Sequence, residues 1–353
     1  MSRVKGRPIH IGIIGMGRAG AGMILRELED HPRRFRLAAV CDVDPERCED
    51  AVRRFGCRTY TDAKDLSADA ETELVAIASR TLDHFDHARD ALRAGKHVFL
   101  EKPMCTTLEE SRSLKRIAAR SRGGLFIRHS RRFDPDFEHV REIIESGILG
   151  DVYEVKLHRH SFARRDDWQT LRKQGGGQLM NWGPHLIDQS LIFLDSPLRS
   201  QWSELKCVRA AGDADDFVRI VMKGRNGRLV DMEISGGAAQ AQPLFIVFGD
   251  RGSLRCDGER IELKYLDPRK KLAPRKSNPG TPAMGQFGTA ETLPWIEKTI
   301  PVKPTWNGRP SSIWIALFDA IRRGKAFPIT MDQALAVMKV ITEARAGTKF
   351  ERC

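Results

Sequence analysis

Apolar residues recur in two different rhythms along this chain. In the first part, short unbroken apolar runs alternate with stretches whose apolar residues return every three or four positions. Ile9-His10-Ile11-Gly12-Ile13-Ile14 reads as a buried strand, and Ala21, Ile24, Leu25 and Leu28 make one face of the helix that follows. Leu37-Ala38-Ala39-Val40-Cys41, Leu74-Val75-Ala76-Ile77-Ala78, His97-Val98-Phe99-Leu100 and Leu125-Phe126-Ile127 repeat the strand pattern. Between them, Asp44 caps a helix that begins at Pro45 and ends before Gly56, a second helix over 83–94 is stopped by Gly95, and a third covers 108–120. This alternation predicts a parallel sheet covered on both faces.

From Asp151 the rhythm changes to a period of two. Tyr153, Val155 and Leu157 alternate with Glu154, Lys156 and His158, as in a half-exposed strand, and 217–222, 229–234 and 244–248 are short, turn-bounded strands. A mostly antiparallel sheet is expected there. The chain closes on helices: 312–323 before Gly324, and one opened by the capping-box pattern Thr330-Met331-Asp332-Gln333. The fold class is therefore α/β in the first domain, over 1–128, and α+β with a large open sheet in the second, over 129–353, whose last helices can pack back on the first. A length of 353 residues suits two domains.

Composition narrows the function classes. No apolar stretch approaches the roughly 18 residues of a membrane span, and Met1-Ser2-Arg3-Val4-Lys5-Gly6-Arg7 lacks the apolar core of a signal peptide, so a cytoplasmic protein without a membrane partner is expected. Seven cysteines, at 41, 48, 57, 105, 207, 256 and 353, form no CxxC pair, which suits a reducing compartment and argues against thiolate metal binding. The net charge of +12 is concentrated: Lys264, Arg269, Lys270, Lys271, Arg275 and Lys276 face the single acid Asp267. Proline and glycine accompany them and aromatic stacking residues do not, so the segment reads as an exposed loop, or a lure for an anionic substrate, and no nucleic-acid partner is expected.

The chemistry begins in the turn after the first strand. In Gly15-Met16-Gly17-Arg18-Ala19-Gly20 the first glycine suits a tight turn, the second a close backbone approach to a pyrophosphate, and the third close packing of helix on strand. Twenty-two positions beyond Gly20, Asp42 ends the second apolar run, where a carboxylate binds a ribose diol and repels a 2′-phosphate. NAD is expected in preference to NADP, with Arg18 and Arg47 as the side chains able to reverse that choice. A glycine-punctuated helix start without a ligand is the bland alternative. Ligands of parallel sheets bind beyond the carboxyl ends of the strands, which places Ser79, Arg80, Glu101 and Lys102 at the cofactor, with His84 and His87 at its edge or on the surface.

Taken together, the GIIGMGRAG start, Val40-Cys41-Asp42-Val43-Asp44, the run from Ala94 through His97 into Glu101-Lys102-Pro103, Arg131-Arg132-Phe133, and Gly175-Gly176-Gly177 before Asn181 and His185 resemble the glucose-fructose oxidoreductase, inositol dehydrogenase and MocA family over nearly the whole chain. The resemblance implies a Rossmann domain, a nicotinamide-dependent oxidoreductase acting on a secondary alcohol of a sugar, cyclitol or related polyol, and a homodimer or homotetramer. It makes Lys102 and His185 the catalytic pair. A developing alkoxide needs a positive neighbour and a proton acceptor, which a lysine and a neutral imidazole supply. The family's D-x-x-x-H acid is Asn181 here, a residue that can position but cannot take up a proton. Asp188, three beyond His185, shares its helical face and is expected to orient it, if Pro184 lies in the first turn. Trp168 is a candidate stacking surface for a sugar ring, with Arg164 or Arg165 on hydroxyls or a carboxylate, or else a partly packed loop residue. The three glycines either admit a ligand or make a flexible turn. His158 and His160 share a strand face without a third ligand, and no metal is assigned. The same residues would serve a redox-assisted glycosidase or lyase that retains NAD, and a silent NAD-binding regulator is the third reading.

Overall fold

A computed structural model describes residues 6–282, 284–285, 287–303 and 312–351; Cys353 and the first five residues of the chain start discussed above lie outside these. The first five apolar runs become strands β1 (Ile9–Ile14), β2 (Phe35–Cys41), β4 (Leu74–Ile77), β5 (His97–Leu100) and β6 (Leu125–Ile127), and a short β3 (Arg58–Tyr60) joins them. All pair in parallel, in the order β3-β2-β1-β4-β5-β6. Ile9, Ile11 and Ile13 and all of β4 are fully buried, which is why these strands read as continuous apolar runs. Strand order reverses between β1 and β4, and a crevice opens there beyond the strands' carboxyl ends.

Helix ends follow the local signals. Asp44 accepts from the Glu46 N–H, and Gly56 takes a left-handed C-cap at φ 59°. The helix after the glycine turn departs from its 3.6-residue reading, because Gly20–Leu25 winds as a π-helix before Arg26–Glu29 continues as α.

The second sheet has eight strands: β7 (Val152–His160), β8 (Leu198–Lys206), β9 (Phe217–Gly224), β10 (Leu229–Ser235), β11 (Phe245–Gly249), β12 (Gly252–Cys256), β13 (Arg260–Leu266) and β14 (Trp295–Pro301). Their order is β14-β13-β12-β11-β7-β10-β9-β8, antiparallel except where β7 meets β10. Val155, Leu157, Val230 and Met232 point to the face covered by the Gly183–Leu194 helix. Tyr153, expected to share that face, does not. The β7 register on β11 skips it, and the resulting bulge turns its ring outward to stack on Phe248 at 6.3 Å.

An uncovered sheet face that drives association would be apolar, and this one is not. It carries Arg219 paired with Asp231 at 2.7 Å, His160 with Glu233 at 3.1 Å and Lys156 beside Glu154 at 3.5 Å, with Tyr153 and Trp202 among them. Lys264, expected in the basic loop, lies on β13 and pairs with Glu297 on β14. Of the closing helices, Ile313–Arg323 packs back on the first sheet: Trp314 meets Phe35 and Phe99 edge-on at 5.3 and 5.0 Å and donates to Glu27 at 2.6 Å. Met331–Arg345 lies against both β8 and the Gly183–Leu194 helix.

Candidate active site

The glycine turn is built for a ligand at one position and for the protein at the other two. Gly15 sits at φ +90°, where an added Cβ would lie 2.6 Å from the Ser79 amide, and a Cβ on Gly20 would collide with the Gly15 carbonyl oxygen. At Gly17 a Cβ would meet open space. Among the described residues, nothing accepts a hydrogen bond from the N–H groups of Gly17, Arg18 or Ala19. Room plus unused donors at a helix start is what a pyrophosphate requires, so the turn fits a dinucleotide.

Asp42, buried at the end of β2, accepts from the Met16 N–H at 2.7 Å and from the Asp44 N–H at 3.1 Å. Its carboxylate is thereby fixed beside the turn. Arg47 stands 3.9 Å from it but donates through Nε to Asp44 at 3.1 Å, and Arg18 is exposed.

Lys102 bridges the two halves of the molecule. It follows β5, its bond to Pro103 is cis, and its Nζ donates to the Asn181 carbonyl oxygen at 2.9 Å and approaches Asn181 Oδ1 at 3.5 Å. Burial pushes its pKa down, opposed by Glu101 and reinforced by Arg128, Arg18 and Arg131. Asn181 ends a short helix, Gln178–Asn181, and donates to Gln169 at 3.1 Å. The close approaches allowed by Gly176 and Gly177 are to the Gln169 backbone and the Asp215 carboxylate, both parts of the protein.

His185 enters from the first turn of Gly183–Leu194, with Pro184 at a position that tolerates it. It is buried, its Nδ1 has no partner, and its Nε2 makes no hydrogen bond among the described residues. Burial, then the charges of Lys102, His129 and Arg131, hold its pKa well below the usual 6.5. The ring is therefore neutral and able to accept a proton. Trp182 meets it edge-on at 5.8 Å, and the guanidinium carbons of Arg159 and Arg131 lie 4.0 and 5.0 Å from the Trp182 ring centre.

Several expected site residues are spent within the fold. Asp188 does not reach His185; it is held by Arg132 through two bonds of 2.6 and 2.5 Å, because the loop after β6 brings a guanidinium to the same helical face. Glu101 accepts from Arg128 at 2.7 Å and from the Lys102 N–H at 3.2 Å, and Arg128 continues to Glu27 at 2.7 Å. Its side chain anchors the loop that carries Lys102. His84 is buried, and its ring nitrogens face the carbonyls of Pro103 at 2.8 Å and Ser79 at 3.2 Å, so it straps two loops together. Ser79 Oγ contacts His87 at 3.0 Å, and Arg80 donates to Gln174 at 3.0 Å while lying over Trp168 at 5.5 Å. Arg165 is engaged by Asp167 and Gln169. His158 contacts the Pro243 carbonyl at 2.7 Å, and no group of three metal-ligating side chains occurs among the described residues.

Two site residues escaped the sequence reading. His129, buried with an unpartnered Nδ1, follows β6 and faces Lys102 and His185. The carboxyl-end rule that selected Lys102 would have selected it too. Arg159 looked like one charge among several on β7, and only tertiary placement over Trp182 singles it out.

Comparison with known proteins gives a consistent answer. Residues 9–129 match the oxidoreductase family with an NAD-binding Rossmann fold, and residues 137–255 match the GFO/IDH/MocA C-terminal domain. The chain is 26% identical to scyllo-inositol 2-dehydrogenase (NADP(+)) IolW of Bacillus subtilis, over 99% of this chain and 97% of that protein. It is 30% identical to an uncharacterized oxidoreductase, C115.03, of Schizosaccharomyces pombe, covering 96% of each. An NAD-binding protein from Listeria innocua has the same fold, at a TM-score of 0.81 and 23% identity over 98% of this chain and 96% of that one. Among the described residues no helix is long and apolar enough to cross a membrane.

Proposed function

The chain belongs to the Gfo/Idh/MocA oxidoreductase family, and from that premise we propose that it transfers hydride between a nicotinamide cofactor and a secondary alcohol of a sugar, cyclitol or related polyol. One observation carries the reading. A desolvated lysine, Lys102, reaches across from the dinucleotide half to Asn181, beside a neutral imidazole, His185, whose nitrogens the protein leaves unused. Bound nicotinamide would supply the hydride acceptor. The Gly17–Ala19 amides would hold the pyrophosphate and Asp42 the adenosine ribose.

Lys102 and His185 divide the rest of the work. As hydride leaves the carbinol carbon, negative charge builds on its oxygen, and the Lys102 ammonium offsets it in a site where water is sparse. His185, kept uncharged, accepts the hydroxyl proton at its free Nε2. Asn181 orients Lys102 through two oxygens, which a charge-neutral amide does without holding the ammonium as tightly as a carboxylate would.

We propose NAD as the preferred cofactor, since Asp42 is fixed at the ribose position and the Arg47 Nε is occupied by Asp44. We also propose a homodimer or homotetramer, on the family resemblance alone, testable by light scattering. Mixing purified protein with NAD or NADP and a polyol panel tests the catalytic reading: net reduced cofactor supports it, whereas product without reduced cofactor points to transient oxidation, and no turnover with any polyol removes it.

A further inference from the structure

Arg159 is a guanidinium that forms no ion pair among the described residues, and it stands beside the candidate reacting centre. It lies at the end of β7 on the same face as Val155 and Leu157, but where those are buried it is exposed. Its carbon is 4.0 Å from the Trp182 ring centre, and that ring touches His185 edge-on, so the guanidinium stands one indole away from the imidazole. Stacking fixes its plane while leaving its N–H donors free at the rim.

Asp134 and Asp136 lie near enough to act on its charge, but neither is placed to hold its N–H groups. Arg131, on the same indole, is matched by Asp134 at 2.9 Å, and Asp136 accepts from the Phe137 N–H. Neither acid bonds to Arg159, and among the described residues no carboxylate pairs with it. Partial desolvation against the Trp182 ring and the like charge of Arg131 push its pKa down, against Asp134 and Asp136. Lys102 and Arg18 add positive charge toward the cofactor side. Of the two arginines named from sequence as carboxylate binders, Arg165 is engaged by Asp167.

We infer that the polyol taken by this site is an anion, and that Arg159 binds its carboxylate or phosphate group while the hydroxyl to be oxidised faces Lys102 and His185. A fixed guanidinium plane pairs with either group through two parallel N–H···O bonds, which orients the ring as well as holding it. A neutral polyol would leave the Arg159 N–H groups without an anionic acceptor.

The inference rests on the polyol oxidoreductase reading for what lies beside Trp182, yet the two fail separately. Titration calorimetry on the NADH-bound protein compares D-glucuronate, D-glucose 6-phosphate and neutral D-glucose. At least one anion should bind about tenfold or more tightly than D-glucose, with Arg159→Met erasing the margin and Arg159→Lys keeping part of it. A larger margin for glucuronate assigns a carboxylate, and a larger margin for the phosphate assigns a phosphoryl group. Equal binding of all three, binding of none, or a margin that survives Arg159→Met overturns the inference. Arg159-dependent anion binding without turnover of any polyol would keep the inference and remove the oxidoreductase reading. Cofactor reduction by neutral polyols alone would do the reverse.

Discussion

The two sheets meet the site in opposite ways. On the six-stranded side the proposed ligand would meet backbone: the open room at Gly17, the free amides beside it and one fixed carboxylate, Asp42. On the eight-stranded side it would meet side chains, with His185 and Trp182 from the covering helices and Arg159 from β7. Backbone recognition is written in local glycine spacing and tolerates change elsewhere. Side-chain recognition depends on segments far apart in sequence and so can be retuned for a new substrate while the cofactor half stays as it is. Lys102 belongs to the first half by chain position and to the second by contact.

Breaking the side-chain half should have the largest effect on rate. Lys102→Met removes the charge facing the alkoxide and His185→Ala the proton acceptor, and each should lower turnover by roughly two to four orders of magnitude. Cofactor affinity, measured by fluorescence titration, should stay within about twofold of the parent if the halves are separable as described.

Breaking the backbone half should divide by glycine. Gly15→Ala forces a Cβ to 2.6 Å from the Ser79 amide at φ +90° and should cost about 1–3 kcal/mol of stability in denaturant unfolding. Gly17→Ala, with open space around it, should leave unfolding unchanged and weaken dinucleotide binding instead, by about tenfold. If Gly17→Ala destabilised the fold and spared binding, the assignment of that space to the pyrophosphate would be wrong.

A smaller change sharpens the boundary between the halves. Asn181→Asp sets a carboxylate where an amide oxygen now lies 3.5 Å from Lys102 Nζ, so the lysine, more than the histidine, should feel it. The pH profile of kcat/KM should shift upward on its lysine limb by about one unit. An unmoved profile would separate Asn181 from the chemistry.

The smallest effect is on stability in acid. Burial lowers the pKa of His84, His129 and His185 from 6.5, so the folded protein keeps them neutral where the unfolded chain protonates them. Above pH 6.5 both states are neutral and nothing is contributed. Below it the unfolded state binds more protons, and stability should fall by up to about 1.4 kcal/mol per pH unit for each histidine. Unfolding of His129→Gln should show a shallower acid slope than the parent.

How much of this was legible in the sequence follows the same division. Five of the six strands of the first sheet and the tight packing at Gly15 and Gly20 were readable, because burial on both faces gives unbroken apolar runs and because backbone geometry constrains glycine locally. Strands β12 to β14, at one end of the second sheet, were missed, since charged residues such as Arg255, Glu262 and Lys264 alternate there with the apolar ones. Tyr153 was put on the wrong face because a bulge inserts one residue that periodicity cannot register. Asp188 was assigned to His185 on helical spacing alone; Arg132, fifty-six positions away, takes it. Arg159 became visible only once separate segments were brought together, whereas His129 follows β6 at a carboxyl end that the strand rule covers.

The central claim is that hydride passes between a polyol carbon and the nicotinamide beside Lys102 and His185. Its most direct measurement is isotope transfer: carbinol-deuterated myo-inositol, D-glucose and D-glucuronate are mixed with NAD and the protein, and the cofactor is recovered for mass spectrometry. Deuterium should appear in the reduced cofactor with at least one of them, and Lys102→Met should slow its appearance by about two orders of magnitude or more. Unlabelled cofactor with all three, or labelling at an undiminished rate in Lys102→Met, would contradict the account.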